Sequence, residues 1–423
     1  MNFLKDTNIH LENRRESRIF FAFIWILYAL VYMTKNCFSG ALADIVAEEA
    51  LTLTQASIIS GSFYLVYTPL QILGGVFADK YSPEKLITVG LLGSAAANAV
   101  MFFSQNFFVL LICWCFSAAI QFSLWPAVYK IISSQLVRSD RTRMVFFMSF
   151  ASSGGLLITY VVSALIPRWE YNFAISAAVL VALAVVLLLF CRHLNPLIKK
   201  DRPESASEVA RDEKKHTVGL TRLLLASGCI AMLGVVLLRQ MVENGTKTLS
   251  PTMLSQSYAS ISPMLGNLLN TLIILAGIAG TVILRFIVFP RIIKNEILCI
   301  LILSALTLPF TVLLRFVGTL PPFLIVIALM AVSLLLTPTH LLTQHYNLHF
   351  TKYGMNGTVA GILNAAASLG IVLQFFIFGP LAESFGWPTV TAIWIGMVAL
   401  TVLCAALALR PFRRFTENGS FPE

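Results

Sequence analysis

The sequence predicts an all-α membrane protein with twelve membrane-spanning helices arranged as two six-helix bundles. Three observations indicate this class. Of the 423 residues, 57% are hydrophobic and only 12% are charged, and apolar runs long enough to cross a bilayer recur along the whole chain. A soluble domain has about 45–50% apolar and about 25% charged residues. The composition therefore excludes a soluble enzyme, a disordered chain and a nucleic-acid-binding module as the main class.

Twelve apolar runs satisfy the length that a membrane-spanning helix needs, which is about 20 residues. Six precede the polar, mixed-charge stretch 193–220 and six follow it. The pattern predicts an N-terminal bundle over 1–192, a cytoplasmic linker over 193–220 and a C-terminal bundle over 221–423. The runs are 18–43, 56–79, 86–104, 108–133, 142–166, 171–192, 221–243, 261–284, 295–316, 321–347, 356–382 and 386–409.

The placement of Lys and Arg predicts the orientation of these spans. Most of the 30 basic residues fall in the termini, the polar stretch and one set of short loops, whereas the loop after the first span carries Asp44, Glu48 and Glu49. Because loops rich in Lys and Arg stay on the cytoplasmic side, both termini are expected to be cytoplasmic. The predicted location is the inner cell membrane. Topology thus explains the net charge of +10, and no nucleic-acid partner is expected.

Nothing in the sequence predicts a cofactor, a metal centre or an enzyme. The seven cysteines form no CxxC pair and lie in or beside apolar segments, which is typical of buried thiols. His345 and His349 have the spacing of a metal pair on one helix face, but no third ligand is evident, and we interpret them as polar residues at the interface. A phosphate-binding glycine loop, GxSxG and HEXXH are all missing from the sequence.

The two halves of the chain resemble each other at an offset near 204 residues. Lys35 follows Arg18, which opens the first span, by the same number of residues as Arg239 follows Arg222, which opens the seventh. Duplicated six-helix units are found in transporters whose substrate site lies between the halves near the membrane midplane. The repeat therefore predicts that Lys35 and Arg239 lie at a similar depth and contribute to such a site.

Three basic residues lie well inside the predicted spans, namely Lys35, Lys130 and Arg239. A charge in the bilayer interior costs about 2.5–3.5 kcal/mol on insertion scales, so it needs a function or a partner. The best acidic candidate is Glu243, which follows Arg239 by four residues and can pair with it. We predict a net positive site that binds an anion. The alternatives are snorkelling of the long side chains to the interface and a structural ion pair, and the scarcity of acidic residues argues against proton coupling.

Eight short segments of the sequence form motifs of a known type: YMTKNCF at 32–38, GGVFADK at 74–80, LGSAAANA at 92–99, LWPAVYK at 124–130, LLRQ at 237–240, SPTML at 250–254, GTVAG at 357–361 and FGW at 385–387. They resemble the organophosphate:inorganic phosphate antiporter family of the major facilitator superfamily, whose members carry glycerol 3-phosphate and hexose 6-phosphates. The resemblance implies that the basic residues of helices 1 and 7, here Lys35 and Arg239, clamp the phosphoryl group. It also assigns Lys130 to the basic position of a WPxxx(Arg/Lys) motif, and Gln71 to a position that is lysine in the family.

The predicted function is secondary active exchange of an organic phosphate, or a similar organic anion, for inorganic phosphate by alternating access. Two alternatives stay open: a carrier for a non-phosphate organic anion, and a sensor that binds sugar phosphate without transporting it. The expected partners are a small anion and the lipid bilayer, and the protein is expected to act as a monomer. The predicted substrate-binding residues are Lys35, Arg239, Lys130, Tyr32, Gln71 and Tyr129, and the predicted gating residues are Asp79, Lys80 and Arg141.

Overall fold

A computed structural model of the protein describes residues 9–10, 14–132, 136, 141–194, 199–200 and 220–417. Within these ranges the chain is helical except for turns and one short antiparallel pairing, in which β1 (Ile9–His10) pairs with β2 (Lys199–Lys200). The chain divides into two compact units, Met1–Glu208 and Val209–Glu423. Most of the predicted linker lies outside the described residues, so its limits stay a prediction.

Within the described ranges, the first unit contains eight α-helices, because two of its six spans are broken. Its apolar core is formed by aliphatic and aromatic side chains of the first, fourth, sixth, seventh and eighth of these helices. The helices are α1 (Arg14–Lys35), α2 (Cys37–Ala47), α3 (Leu53–Lys80), α4 (Pro83–Phe102), α5 (Phe107–Ile120), α6 (Leu124–Lys130), α7 (Arg141–Leu165) and α8 (Tyr171–Leu194).

Within the described ranges, the second unit contains nine α-helices and a separate apolar core. Two of its spans are broken, one of them into three helices, and another span ends in a π-helical turn at Leu284–Val288. The helices are α9 (Leu220–Ala226), α10 (Cys229–Thr248), α11 (Ser250–Ser257), α12 (Pro263–Ile283), α13 (Glu296–Leu314), α14 (Pro322–Leu336), α15 (Thr339–Leu348), α16 (Asn356–Phe385) and α17 (Trp387–Glu417).

Local sequence explains where these helices begin and break. Thr52 forms a capping box with Gln55 at the start of α3, which satisfies two free backbone amides. Asn36 interrupts the first span because its side-chain amide donates to the Tyr32 carbonyl at 2.8 Å, so the side chain competes with the helical hydrogen bonds. Gly228 separates α9 from α10 with a φ of 74°, a conformation that favours glycine.

The predicted fold class is confirmed. Within the described ranges, nine helical segments are long and apolar enough to cross a membrane. The three other predicted spans, 56–79, 142–166 and 221–243, coincide with α3, α7 and α9–α10. The seventh span continues past its predicted end at residue 243 to Thr248, because the charges that interrupt the apolar pattern pair with one another along the helix.

The two units repeat the same helix pairings. In the first unit α1 packs against α7 and α4 against α8, and in the second unit α10 packs against α16 and α13 against α17. The contacts of α3 with α5 are likewise matched by those of α12 with α14. Since α10, α13, α16 and α17 hold the same places in chain order as α1, α4, α7 and α8, each unit is built on one packing scheme, as expected for a duplicated bundle.

The packing corrects the offset of the repeat near the predicted site. A β-carbon at Gly155 on α7 would meet the Ala29 carbonyl and the Tyr32 β-carbon of α1. A β-carbon at Gly370 on α16 would meet the Leu237 carbonyl and the Gln240 β-carbon of α10 in the same way. Both correspondences give an offset of 208 rather than 204 residues.

At this offset the segment Met-Thr-Lys-Asn at 33–36 aligns with Met-Val-Glu-Asn at 241–244. Lys35 therefore corresponds to Glu243, and the expectation that Lys35 and Arg239 are equivalent positions is wrong. Arg239 lies four residues earlier on its helix than the equivalent of Lys35, which is about 6 Å along the axis.

Candidate functional site

Close packing between α1 and α7 fixes the position of Lys35 in the first unit. Because Gly155 lacks a side chain, the backbone of α7 approaches α1 directly at Tyr32. One turn later the Thr159 hydroxyl donates to the Met33 carbonyl at 3.1 Å and to the Gly155 carbonyl at 3.0 Å. Small residues and hydroxyls of this kind hold membrane helices together where the hydrophobic effect cannot. The end of α1 that carries Lys35 is therefore rigidly placed.

The ammonium group of Lys35 lies among tyrosine rings. Its Nζ is 4.2 Å from the ring centroid of Tyr67 and 5.7 Å from that of Tyr32, distances at which a cation is attracted to an aromatic face. Only 6% of Lys35 is exposed, so its side chain does not extend to an interface. Among the described residues, no carboxylate lies within ion-pair distance of Lys35. The ammonium group is thus buried with aromatic partners, and the described part of the chain provides no countercharge for it.

A row of aromatic rings continues from this ammonium group. The ring of Tyr32 lies 5.2 Å from that of Tyr28, which lies 4.8 Å from that of Trp125. The Trp125 ring lies 6.1 Å from that of Tyr129, and Tyr129 is 48% exposed. The structure thereby connects two predicted site residues, Tyr32 and Tyr129, through Tyr28 and Trp125. In the sequence, Trp125 belongs to the WPxxx(Arg/Lys) motif but was not predicted as a site residue, although its place four residues before Tyr129 is a signal for a shared helix face.

The helix α3 contributes polar groups beside Lys35. The Tyr64 hydroxyl donates to the Asn36 side chain at 3.3 Å, which ties α3 to the break between α1 and α2. Gln71 follows Tyr67 by four residues and therefore shares its face of α3. Gln71 is half-buried.

Lys130 is placed away from this group. Its Nζ donates to the Ala78 carbonyl at 2.6 Å, near the end of α3. Ala78 lies eleven residues beyond Tyr67 on α3, or about 16 Å along a helix. The structure therefore brings Lys35, Tyr32 and Tyr67 together, whereas Lys130 lies toward the end of α3 that also carries two of the predicted gating residues, Asp79 and Lys80.

The predicted gating residues lie at helix ends. Lys80 is the exposed last residue of α3. The backbones of Asp79 and Arg141 lie in α3 and α7, but their side chains are outside the described part of the structure. The gating role therefore stays a prediction.

In the second unit, Arg239 lies inside the bundle on α10. The close approach at Gly370 and a second one at Gly245, where a β-carbon would lie 3.1 Å from the Trp394 ring, hold α10 against α16 and α17. Arg239 is only 1% exposed. Its Nη2 donates to the Gln240 side chain at 3.1 Å, and its Nη1 donates to Glu243 in a buried ion pair.

Glu243 joins two cations along one face of α10. Its Oε2 accepts from Arg239, and its Oε1 accepts from the Lys247 Nζ at 2.7 Å. The residues are spaced four apart, so their side chains are neighbours on the helix surface. Two positive charges and one negative charge leave this group with a net charge of +1. The sequence indicated the pairing of Arg239 with Glu243, but the role of Lys247 was missed, although its i,i+4 spacing from Glu243 is a readable signal.

A polar edge of α15 lies near this charged group. The exposed ring of His340 is within electrostatic range of Arg239, Glu243 and Lys247. Its Nε2 also lies 3.1 Å from the Gln344 side-chain nitrogen. The group on α10 therefore faces a histidine on another helix and not only its own neighbours.

His345 and His349, which have the spacing of a metal pair, contact different neighbours. His349 Nε2 lies 3.0 Å from Glu296 Oε1, at the start of α13. His345 instead packs with its ring 5.1 Å from that of Phe289. Each histidine has a local structural partner of its own, and this agrees with the interpretation of both as polar residues at a helix end.

Known proteins resemble the chain in sequence and in fold. The membrane sensor protein UhpC of Salmonella typhimurium is 25% identical over 183 residues, which are 43% of this chain and 40% of the sensor. A probable hexose phosphate transport protein of Chlamydia pneumoniae is 22% identical over 217 residues, or 49% of this chain and 48% of that protein. The chain thus matches less than half the length of these relatives.

A solved structure extends the comparison to the whole fold. A bacterial homologue of the human lysosomal transporter Spinster, in an inward-facing and unoccupied conformation, has a TM-score of 0.70 and 13% sequence identity, covering 96% of this chain and 99% of that one. The sequence model of the family described as Major Facilitator Superfamily matches residues 24–375, more than four fifths of the chain. The chain therefore belongs to the Major Facilitator Superfamily, a family of membrane transport proteins rather than of enzymes.

Proposed function

We propose that the protein is a secondary transporter that exchanges an organic phosphate, or a similar organic anion, for inorganic phosphate by alternating access. The observation that carries this proposal is the buried ammonium group of Lys35, which has no carboxylate partner within the described residues. A charge kept in a membrane-spanning helix at a cost of about 2.5–3.5 kcal/mol marks a functional site by default. An anion that enters the site would supply the missing countercharge.

The two basic residues suit different parts of the task. Lys35 provides a compact positive charge that attracts an oxyanion from any direction. Arg239 provides a planar guanidinium, whose N–H groups match two oxygens of a phosphate or carboxylate. In this proposal both residues contact the anion, and Tyr32 adds a hydroxyl and a ring face.

The remaining predicted residues have secondary roles in the proposal. Gln71 and Tyr129 contact the organic part of the substrate, and Lys130 draws the anion toward the site. Asp79, Lys80 and Arg141 form charge contacts that close the cytoplasmic side. The protein acts as a monomer in the inner membrane, and both of its termini are cytoplasmic. The name of the Chlamydia pneumoniae relative supports a phosphorylated substrate.

Phosphate self-exchange tests the proposal directly. The purified protein is reconstituted into liposomes loaded with unlabelled phosphate, and uptake of labelled phosphate is followed. We expect uptake that requires internal phosphate and that falls by at least about tenfold in Lys35→Gln and in Arg239→Gln. The control is Arg315→Gln, since Arg315 is an exposed residue at the end of α13. Wild-type uptake in both site variants would refute the proposed anion site.

A carrier for a non-phosphate organic anion is the second candidate. Glu243 neutralises one of the two cations on α10, and the remaining charge of +1 would suit a carboxylate or sulfonate as well as a phosphate. Competition separates the two functions, since exchange that is inhibited by organic sulfonates but not by phosphate favours the second.

A sensor is the third candidate, and the similarity to UhpC favours it. A sensor would bind its ligand without carrying it across the membrane. Tight binding of sugar phosphate by a folded, inserted protein that shows no flux would therefore support this candidate over both transport functions.

A further inference from the structure

In the ion pairs on α10, a single carboxylate bonds to two cations. Glu243 uses one carboxylate oxygen for Arg239 and the other for Lys247. The side chains of Glu243 and Lys247 are only 9% and 11% exposed. The carboxylate therefore occupies the Nη1 group of Arg239, to which an oxygen of an incoming oxyanion could bond. Its negatively charged oxygens are acceptors of the same kind as those of a carboxylate or phosphate ligand.

Removing a carboxylate from a buried cation is costly when it leaves a charge unpaired. Here the second oxygen of Glu243 is already bonded to Lys247, at 2.7 Å. If Glu243 leaves Arg239, its carboxylate is therefore still paired with Lys247. Among the described residues, His340 on α15 is the titratable group from another helix within electrostatic range of Glu243, and it adds no competing negative charge.

We propose that Glu243 is a built-in counter-anion, which the substrate displaces from Arg239 while Lys247 retains it. This inference rests on the proposed function, because it assumes that Arg239 binds the transported anion. It assigns Lys247 as a positioning residue that does not itself touch the substrate. When the substrate leaves, Glu243 returns to Arg239 and again neutralises the charge of the guanidinium group.

The displacement also defines the class of substrate. A tethered carboxylate competes at a high effective concentration, so a singly charged carboxylate gains little by replacing it. A doubly charged phosphate ester attracts the guanidinium more strongly. The site should therefore discriminate in favour of dianions and against monocarboxylates.

Binding of inorganic phosphate to the full-length protein in detergent, measured by titration calorimetry, tests this inference. Glu243→Gln is expected to bind phosphate about tenfold more tightly, within the range typical of coupled sites, and to begin to bind acetate. Lys247→Gln is expected to bind phosphate about tenfold more weakly and to take up more protons per phosphate bound than the wild type, because the displaced carboxylate then lacks its cation. Comparison with the wild type cancels the protonation of phosphate itself.

Glu296→Gln is the matched control, because Glu296 lies in the same unit and is buried to the same degree as Glu243. Counted over the whole residue, Glu296 is 8% exposed and Glu243 is 7% exposed. Its partner is His349 rather than Arg239, so its phosphate affinity should equal that of the wild type. If Glu243→Gln does not fold, Lys247→Gln alone decides, since it retains the pair of Arg239 with Glu243.

The outcomes separate this inference from the function on which it rests. Wild-type protein that binds no phosphate refutes the proposed function. Wild-type binding that is lost in Arg239→Gln, together with unchanged affinity and proton uptake in Lys247→Gln, supports the function and overturns the counter-anion.

Discussion

The close approach of α7 to α1 at Gly155 gives the sharpest test of how the site is held. A β-carbon at Gly155 would lie 2.5 Å from the Tyr32 β-carbon and closer still to the Ala29 carbonyl, whereas real β-carbons keep at least 3.0 Å. Because the Ala29 carbonyl oxygen would lie only 2.2 Å away, Gly155→Ala must separate the helices by at least about 0.8 Å. Neither obstacle is a flexible side-chain end, so the strain cannot be relieved locally.

The cost follows from two terms. Overpacking of this kind costs about 1–3 kcal/mol. The same shift would stretch the bond from Thr159 to the Met33 carbonyl from 3.1 Å beyond hydrogen-bond range, at about 1 kcal/mol more. A total of about 2–4 kcal/mol corresponds to a loss of about 5–15 °C in melting temperature for a unit of this size.

The adjacent residue Gly154 is the matched control. A β-carbon there would have as its nearest neighbour the Trp25 ring at 3.7 Å, an ordinary contact. Gly154→Ala should be neutral or stabilising by up to about 1 kcal/mol, because alanine favours the helix. The assay is thermal unfolding of both variants in detergent, followed by phosphate exchange. A melting temperature of Gly155→Ala equal to or above that of Gly154→Ala would refute the reasoning.

Three further predictions follow from individual contacts. Gly370→Ala should destabilise the second unit, since its β-carbon would lie 2.7 Å from a backbone carbonyl of α10, whereas Gly361→Ala on the same helix meets nothing within 4 Å; equal melting temperatures would contradict this. Tyr67→Leu should raise the half-saturating phosphate concentration about tenfold by removing a cation–π contact to Lys35, and Tyr67→Phe should retain it; equal effects of the two variants would show that the ring is unimportant. Burial raises the pKa of the Glu170 carboxyl, but hydrogen bonds from its own backbone amide, an arginine and a glutamine outweigh this and hold the pKa below its usual value. The wild type should therefore be more stable than Glu170→Gln above about pH 5 and lose that advantage as the pH falls through the folded-state pKa, as melting temperatures across that range would show.

The fold could be predicted from the sequence because a bilayer imposes one local rule on each span. Every backbone polar group must be satisfied within the membrane, so an apolar run of sufficient length is a helix whatever its neighbours are. The break at Asn36 and the start of α3 at Thr52 likewise depend on hydrogen bonds between residues that are three or four positions apart in the chain. The seventh span was predicted too short because hydropathy counts Glu243 and Lys247 as interruptions, whereas their pairing keeps the helix intact.

The site was only partly predictable. Lys35 and Arg239 were identified because a charge in an apolar run is conspicuous by itself, and Tyr32 because it shares a helix face with Lys35. The approach of Tyr67, on another helix, and the placement of Lys130 at the Ala78 carbonyl depend on how helices pack. No local pattern contains that information.

By itself the sequence determined the membrane class, the helices, the duplication and the positive charge of the candidate site, since each depends on residue type and spacing along one chain. Only the tertiary structure decided the register of the duplication and the state of each charge. The backbone contacts at Gly155 and Gly370 align Lys35 with Glu243, so one unit holds a cation without a described countercharge and the other a neutralised arginine. Such contacts join residues far apart in the chain, and for that reason spacing could not reveal them.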